Sequence, residues 1–268
     1  MHPLRFISSV VIAGCTLSVG SWAQLGDIPN SSFVATTSSE FVSTRVMGSL
    51  SPELALTAYE KGLQSQSNEL TGYTAITVVD AKLPDSSQKA RFELKRHYVA
   101  PSLLEFTPLT STGDKFVKSN VIVRFLQSEV DHVQKREQSQ TAIASDNYKF
   151  SYKGTAELNG VPVHVYEVKP RKKRVGLFKG KIFLESLSGH LLRAQGAIVK
   201  SPSFFIKKIR FTQDYTTIAG FTLPTHLHSE AETRLVGKTI VDVVHRDYEP
   251  EALRTDLSNV AFLPDCAN

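Results

Sequence analysis

The chain has 268 residues, of which 41% are hydrophobic and 21% charged, with a formal net charge of +5 and two cysteines, Cys15 and Cys266. This length is ample for one large core and fits a single mainly β domain. Two cysteines exclude a disulfide scaffold and a cysteine-based zinc site.

Met1 to Arg5 is a short basic start, Phe6 to Val19 an apolar run, and Gly20-Ser21-Trp22-Ala23 the small residues that a signal peptidase reads. Residues 1–23 therefore read as a secretory signal, too short and too interrupted by polar residues for a retained anchor. Ile12-Ala13-Gly14-Cys15 also resembles a bacterial lipobox. Cleavage after Ala23 gives a periplasmic or secreted protein, and cleavage before Cys15 gives a membrane-tethered one. Cys266, two residues from the end, reads as a surface cysteine, since termini rarely supply the surroundings that activate a thiol. Residues 24–50 are rich in Ser, Thr and Val without period and form a poorly ordered lead segment.

A single domain is expected over residues 51–250, followed by a tail, 251–268. Ser51-Pro52-Glu53 opens a helix with a cap, a proline at the first position and an acid at the positive dipole end. Leu54, Ala55, Ala58 and Leu63 form its apolar stripe, and it ends near Asn68. Strands follow at Tyr73 to Leu83, Arg91 to Val99 and Leu103 to Pro108, with Pro101 and Pro108 limiting their length. Beyond Thr112-Gly113-Asp114, the residues Val121, Ile122, Phe125, Leu126, Val130 and Val133 recur at helical spacing, which predicts a second amphipathic helix.

Asn147 to Gln195 reads as consecutive antiparallel strands. Asn159-Gly160 is a strong hairpin signal, because both central residues of a type I′ turn need φ > 0. A second hairpin closes at Ser186 to Gly189, and between the two lies the basic loop PRKKR. Phe204 to Tyr215, Phe221 to Leu235 and Lys238 to His245 complete the meander, with turns at Ala219-Gly220 and Val236-Gly237.

Charge is segregated along the chain. From Lys169 to Arg210 there are twelve basic residues and one acid, Glu185. Such polarity points to an anionic partner or surface, and the plainer alternative is a solvated face whose charges spread around the fold. The candidate binding residues are Lys169, Arg171, Lys172, Lys173, Arg174, Lys179 and Lys181. Nucleic acid is not an expected partner, because no aromatic pattern interleaves the basic run.

Gly220, His226, His228 and Glu232 match the first half of the cupin metal motif, and strand alternation places His226, His228, Glu230 and Glu232 on one face. The second half of that motif is missing, so these residues read as a solvent-facing strip, and no metal or other cofactor is expected. There is no G-x-S-x-G elbow, P-loop or G-x-G-x-x-G, and nothing recommends an enzyme.

A signal, a leading helix, long strands, NYKFSYKGTAELNGVPVHVYEVKP, KGKIFLESLSGHLLRAQG and IRFTQDYTTIAGFTLPTHL together resemble the bacterial outer-membrane lipoprotein-sorting (LolA-like) family and the related periplasmic sigma-factor regulator. The resemblance spans roughly residues 52 to 248. It implies a mainly β fold with packed helices: a half-open antiparallel β-barrel covered by two or more α-helices, with a concave interior for acyl chains. It also implies a buried arginine that holds the closed state, for which Arg91, Arg96 and Arg124 are candidates. Two functions follow. One is a periplasmic carrier or binding protein for a lipid or lipoprotein acyl chain, docked on an anionic membrane. The other is a non-catalytic envelope module that binds an acidic protein, or acts as a sensor, through the same basic face. A large apolar cavity favours the first, and an interior filled by its own side chains favours the second.

Overall fold

Ten antiparallel strands form one open sheet in the order β3-β2-β1-β10-β9-β8-β7-β6-β5-β4. The computed structural model describes residues 48–252 apart from 203, 205 and 235. The signal, both cysteines, most of the lead segment and the tail beyond Ala252 lie outside the described residues.

The strands are β1 (Leu70–Leu83), β2 (Gln88–Val99), β3 (Leu103–Gly113), β4 (Tyr148–Leu158), β5 (Val161–Pro170), β6 (Phe178–Glu185), β7 (Leu191–Ile198), β8 (Ile206–Ile218), β9 (Phe221–Thr233) and β10 (Gly237–Ala252). Each strand after β1 pairs antiparallel with the strand before it, except β4. β1 pairs with β10 as well as β2, and the connection from β3 to β4 links the two edges of the sheet. That connection carries the helices α2 (Lys115–Val117), α3 (Val123–Gln134) and α4 (Gln138–Thr141), with a π turn over Lys118–Ile122. The leading helix α1 spans Pro52–Glu69. The result is the mainly β architecture with covering helices that the sequence predicts.

Turn chemistry sets the register. Asn159 and Gly160 have φ of 52° and 82°, and Ala219 and Gly220 have 50° and 84°, so both hairpins turn with two residues in the left-handed region. Ser51 caps α1, its side chain accepting from the Leu54 amide.

Four sequence expectations need correcting. Leu54 is exposed, and the buried face of α1 is Ala55 and Tyr59, with Leu56 and Leu63 packed beside them. Pro108 does not end β3, which runs on to Gly113. Its strand lies at the sheet edge and bulges there, Glu93 pairing with Thr110 and Leu94 with Pro108, so the missing amide costs no ladder bond. The helix beyond Asp114 starts six residues earlier than Val121, and its π turn puts Val117 and Ile122 on one buried face at a spacing of five, which breaks helical periodicity. β10 continues well past His245, to Ala252.

The apolar interior comes in two clusters. The larger joins the concave faces of the sheet to α1–α3 and includes Tyr148, Phe178, Ile182 and Leu184, each fully buried. The smaller gathers Leu70, Tyr73, Ala75, Tyr98, Leu104, Val133, Phe221 and Leu223. Gly180 of β6 faces Gly196 of β7 on the concave side, in a row that continues to Phe211 of β8. A β-carbon on Gly180 would lie 1.9 Å from the Gln195 carbonyl oxygen and 2.6 Å from the Gly196 α-carbon, so only glycines fit where β6 and β7 approach this closely.

Candidate functional site

The seam between the two clusters holds a cavity of about 110 Å³. Its roof is α1, and polar contacts fix that helix at both ends. At the start, the Leu50 amide donates to the Ser186 carbonyl (2.8 Å), His164 Nε2 bonds the Leu50 carbonyl (2.9 Å), and the Tyr166 hydroxyl donates to the Pro52 carbonyl. Burial pushes that hydroxyl's pKa up to about 12. Gly189, in the β6–β7 turn with φ of 77°, admits the helix so closely that a β-carbon there would sit 2.6 Å from the Ala55 carbonyl. Near the end of α1, the Gln66 side chain meets the start of β9 as a strand would. Its Nε2 donates to the Thr222 carbonyl (3.2 Å), and its Oε1 accepts from the Thr222 amide (2.8 Å).

The other wall comes from α3. Arg96, pointing inward from β2, donates from Nη1 to Glu129 Oε2 of α3 at 2.6 Å, and from Nε to the Tyr73 hydroxyl at 3.0 Å. The Arg96 and Glu129 side chains are 5% and 6% exposed. Burial alone would lower the guanidinium, but Tyr73 and Glu129 more than offset it and hold it above its ordinary value. The guanidinium also lies 5.3 Å from the centre of the Phe106 ring. Of the three candidate arginines, Arg96 is therefore the buried one, and its partner is a carboxylate. Arg91 is on the surface with Asp80 at 2.8 Å, and Arg124 is half-buried on α3.

Two further groups complete the cavity wall. Tyr215 is buried, and among the described residues its hydroxyl has no hydrogen-bond partner. His245 bonds the Thr77 hydroxyl at 2.9 Å, and burial, aided by the charge of Arg96, holds the imidazole well below its ordinary pKa. A histidine depressed in the folded state is protonated first in the unfolded chain, so its contribution is present above about pH 6.5 and is lost below it. Stability should therefore fall on acidification, by up to about 1.4 kcal/mol per pH unit for this one group. Urea denaturation at pH 7.5 and 5.5 checks this, and His245→Gln should flatten the dependence.

Apart from Arg96, one of the three arginines that the resemblance nominates, only Glu129 stands out in the sequence among the groups that shape this cavity. It falls on the apolar stripe between Phe125 and Val133, where an acid is out of place unless it is paired. Gln66, Tyr215 and His245 carry no such signal.

The structure places the seven predicted basic residues along the corner formed by β5, the loop after it and β6. Lys169 is not an isolated charge: its Nζ is 3.3 Å from Glu167, which also takes Lys153 at 3.0 Å, and these two ammonium groups hold the Glu167 carboxyl below its usual range. Arg171 Nε donates to the Ser145 carbonyl at 2.6 Å and so ties the loop down. Lys172, Lys173, Lys179 and Lys181 are exposed, and Arg174 is half-buried. Lys149 of β4 lies opposite Lys169 and joins this corner from outside the basic run.

Further along the basic run, the folded sheet undoes part of the segregation. Arg193 pairs with Asp214, while Lys208 and Arg210 of β8 stand opposite Glu232 and Glu230 of β9. His226, His228, Glu230 and Glu232 do lie along β9, where His228 Nδ1 is 2.6 Å from Asp242 and Glu230 is 2.9 Å from Lys238. Among the described residues, no group of three His, Cys, Asp or Glu side chains is placed to hold a metal ion.

No protein-family model matches the chain, and no curated protein matches it. Solved structures of similar outline include a domain assigned as an outer membrane lipoprotein-sorting protein from Vibrio parahaemolyticus (13% identity, 76% of this chain and 91% of that one, TM-score 0.40). Another is a LolA superfamily protein from Nitrosomonas europaea (10% identity, 75% and 94%, TM-score 0.36). A third is MucB in the MucA/MucB complex of Pseudomonas aeruginosa (12% identity, 74% and 98%, TM-score 0.24). The LolA group is the one whose order of hairpins the sequence resembles. Identities of 10–13% and TM-scores of at most 0.40 assign neither a family nor a function to this chain.

Proposed function

We propose that this chain is a non-catalytic binding protein of the bacterial cell envelope. On this reading it takes an acyl chain or another apolar segment between α1, α3 and the concave sheet, and it docks through the basic corner at β5 and β6. The observation that carries the reading is the cavity at the seam of the two apolar clusters, roofed by a helix whose second half is held to β9 by one glutamine. At about 110 Å³ the closed cavity is well below the roughly 300–1,000 Å³ of a pocket for a drug-sized ligand, so a longer chain enters by lifting the roof. Releasing the two Gln66 bonds costs only about 0.5–1.5 kcal/mol each. Mass spectrometry of lipids that co-purify with the protein tests the reading, and lipid-free protein under gentle extraction counts against it.

A second reading has its own support. Apart from the seam, the interior is filled by Tyr148, Phe178, Ile182, Leu184 and their neighbours, as in a module that binds a protein partner on its outer face. Vesicle sedimentation separates the two. An anionic bilayer contributes about 1 kcal/mol per exposed basic residue within a Debye length. Lys172→Gln/Lys173→Gln/Lys179→Gln spares Arg171, which is tied to Ser145, and should weaken binding to anionic vesicles by roughly 100-fold at low salt with little change in stability. Unchanged binding would remove the membrane from the proposal and leave an acidic protein as the partner.

A further inference from the structure

The polar groups around the cavity constrain the end of whatever chain enters it. Apolar walls come from Leu63, Leu70, Val133, Leu223 and Leu227. Into this lining Arg96 brings one positive charge and Glu129 one negative, 2.6 Å apart and both almost fully buried. His245 adds no second cation, because burial and Arg96 keep it neutral. The site is thus charge-balanced before any ligand arrives. An entering carboxylate would leave one negative charge without a cation beside an already balanced buried pair, which burial disfavours.

Hydrogen-bonding capacity, in contrast, is left over. A guanidinium carries five N–H donors, and here Nη1 serves Glu129 and Nε serves Tyr73. Buried polar atoms without partners are rare in native proteins, and each calls for a water or a ligand atom. An uncharged oxygen, whether ester carbonyl or alcohol, satisfies them without disturbing the charge balance.

We propose that this cavity selects aliphatic ligands whose oxygen-bearing end is uncharged, an ester or an alcohol, and discriminates against carboxylates. The proposal rests on reading the concave face as a site for apolar chains, and it adds the chemistry of the chain's polar end.

Hexanoate and its uncharged isomer ethyl butanoate test the selection, because they match in size and differ in charge. Titration of the purified protein is followed by NMR at pH 8. The ester should bind at least tenfold more tightly than the acid. Glu129→Gln, which frees the Arg96 charge, should reverse that preference. Should Glu129→Gln fail to fold, the two isomers on the parent decide the matter.

Equal binding of the isomers, or preference for hexanoate by the parent, overturns the selection and leaves the apolar site standing. Binding of neither isomer, with lipid still co-purifying, overturns the selection alone. Binding of neither, with no co-purifying lipid, overturns the apolar site as well.

Discussion

Gly180→Ala is expected to destabilise the protein by about 3 kcal/mol or more, at the upper end of what overpacking costs. The added methyl group would meet the Gln195 carbonyl oxygen at 1.9 Å, the Gly196 α-carbon at 2.6 Å and the Gln195 carbonyl carbon at 2.8 Å. All three are backbone atoms of β7, so no side chain can rotate out of the way. Relief requires moving one strand against the other, and that disturbs the row from Val168 to Phe211 on the concave face. Gly160→Ala is the informative comparison. A β-carbon there meets nothing within 4 Å, and the cost is only that of a φ of 82°, about 1–2 kcal/mol. Urea midpoints of the two variants should therefore differ clearly, with Gly180→Ala the lower. Equal midpoints would mean that β6 and β7 do not approach so closely in solution.

The second large effect is expected at the buried ion pair. Arg96→Met leaves Glu129, with a side chain 6% exposed, without its cation inside the protein. Breaking a buried pair from one side costs about 3–5 kcal/mol, a large part of the roughly 5–15 kcal/mol that holds a domain together. Replacing both partners, as Arg96→Met/Glu129→Leu, removes the stranded charge and should recover most of the loss, because an apolar pair of similar volume avoids the desolvation of two ions. A double-mutant cycle on chemical denaturation measures this directly. If the double variant is as unstable as Arg96→Met alone, the destabilisation comes from lost packing against Tyr73 and Phe106 and not from the charge of Glu129.

Local chemistry made much of the fold legible. Ser51-Pro52 marks where α1 starts, and Asn159-Gly160 and Gly220 mark two hairpins, because the backbone geometry there favours those residue types. The pairing of β1 with β10 had no such signature, being a contact between distant segments that both look like strands. The π turn hid because a spacing of five between Val117 and Ile122 matches no regular period. The charge pattern misled in part. Twelve basic residues stand almost without acids along the chain, yet Asp214, Glu230 and Glu232 come from β8 and β9 to face Arg193, Arg210 and Lys208 in the folded sheet. The cavity was the least legible feature, since Gln66, Arg96, Glu129 and Tyr215 come from four elements and acquire their roles only by meeting there.

The placement of β10 governs the order in which this sheet can be completed. β1 to β3 and β4 to β9 each form by neighbouring hairpins, but the two halves join only through β10, which lies between β1 and β9. Thr77 and His245, which meet across that joint, are 168 residues apart in the chain. Closing so long a loop is entropically costly and gives the fold a high contact order, so the joining of the halves is the slow step. Until β10 docks, β1 and β9 both present open edges, the kind of surface that pairs with other chains. A chain synthesised from its N-terminus exposes those edges until β10 is available, so pairing with other chains competes with completion of the sheet.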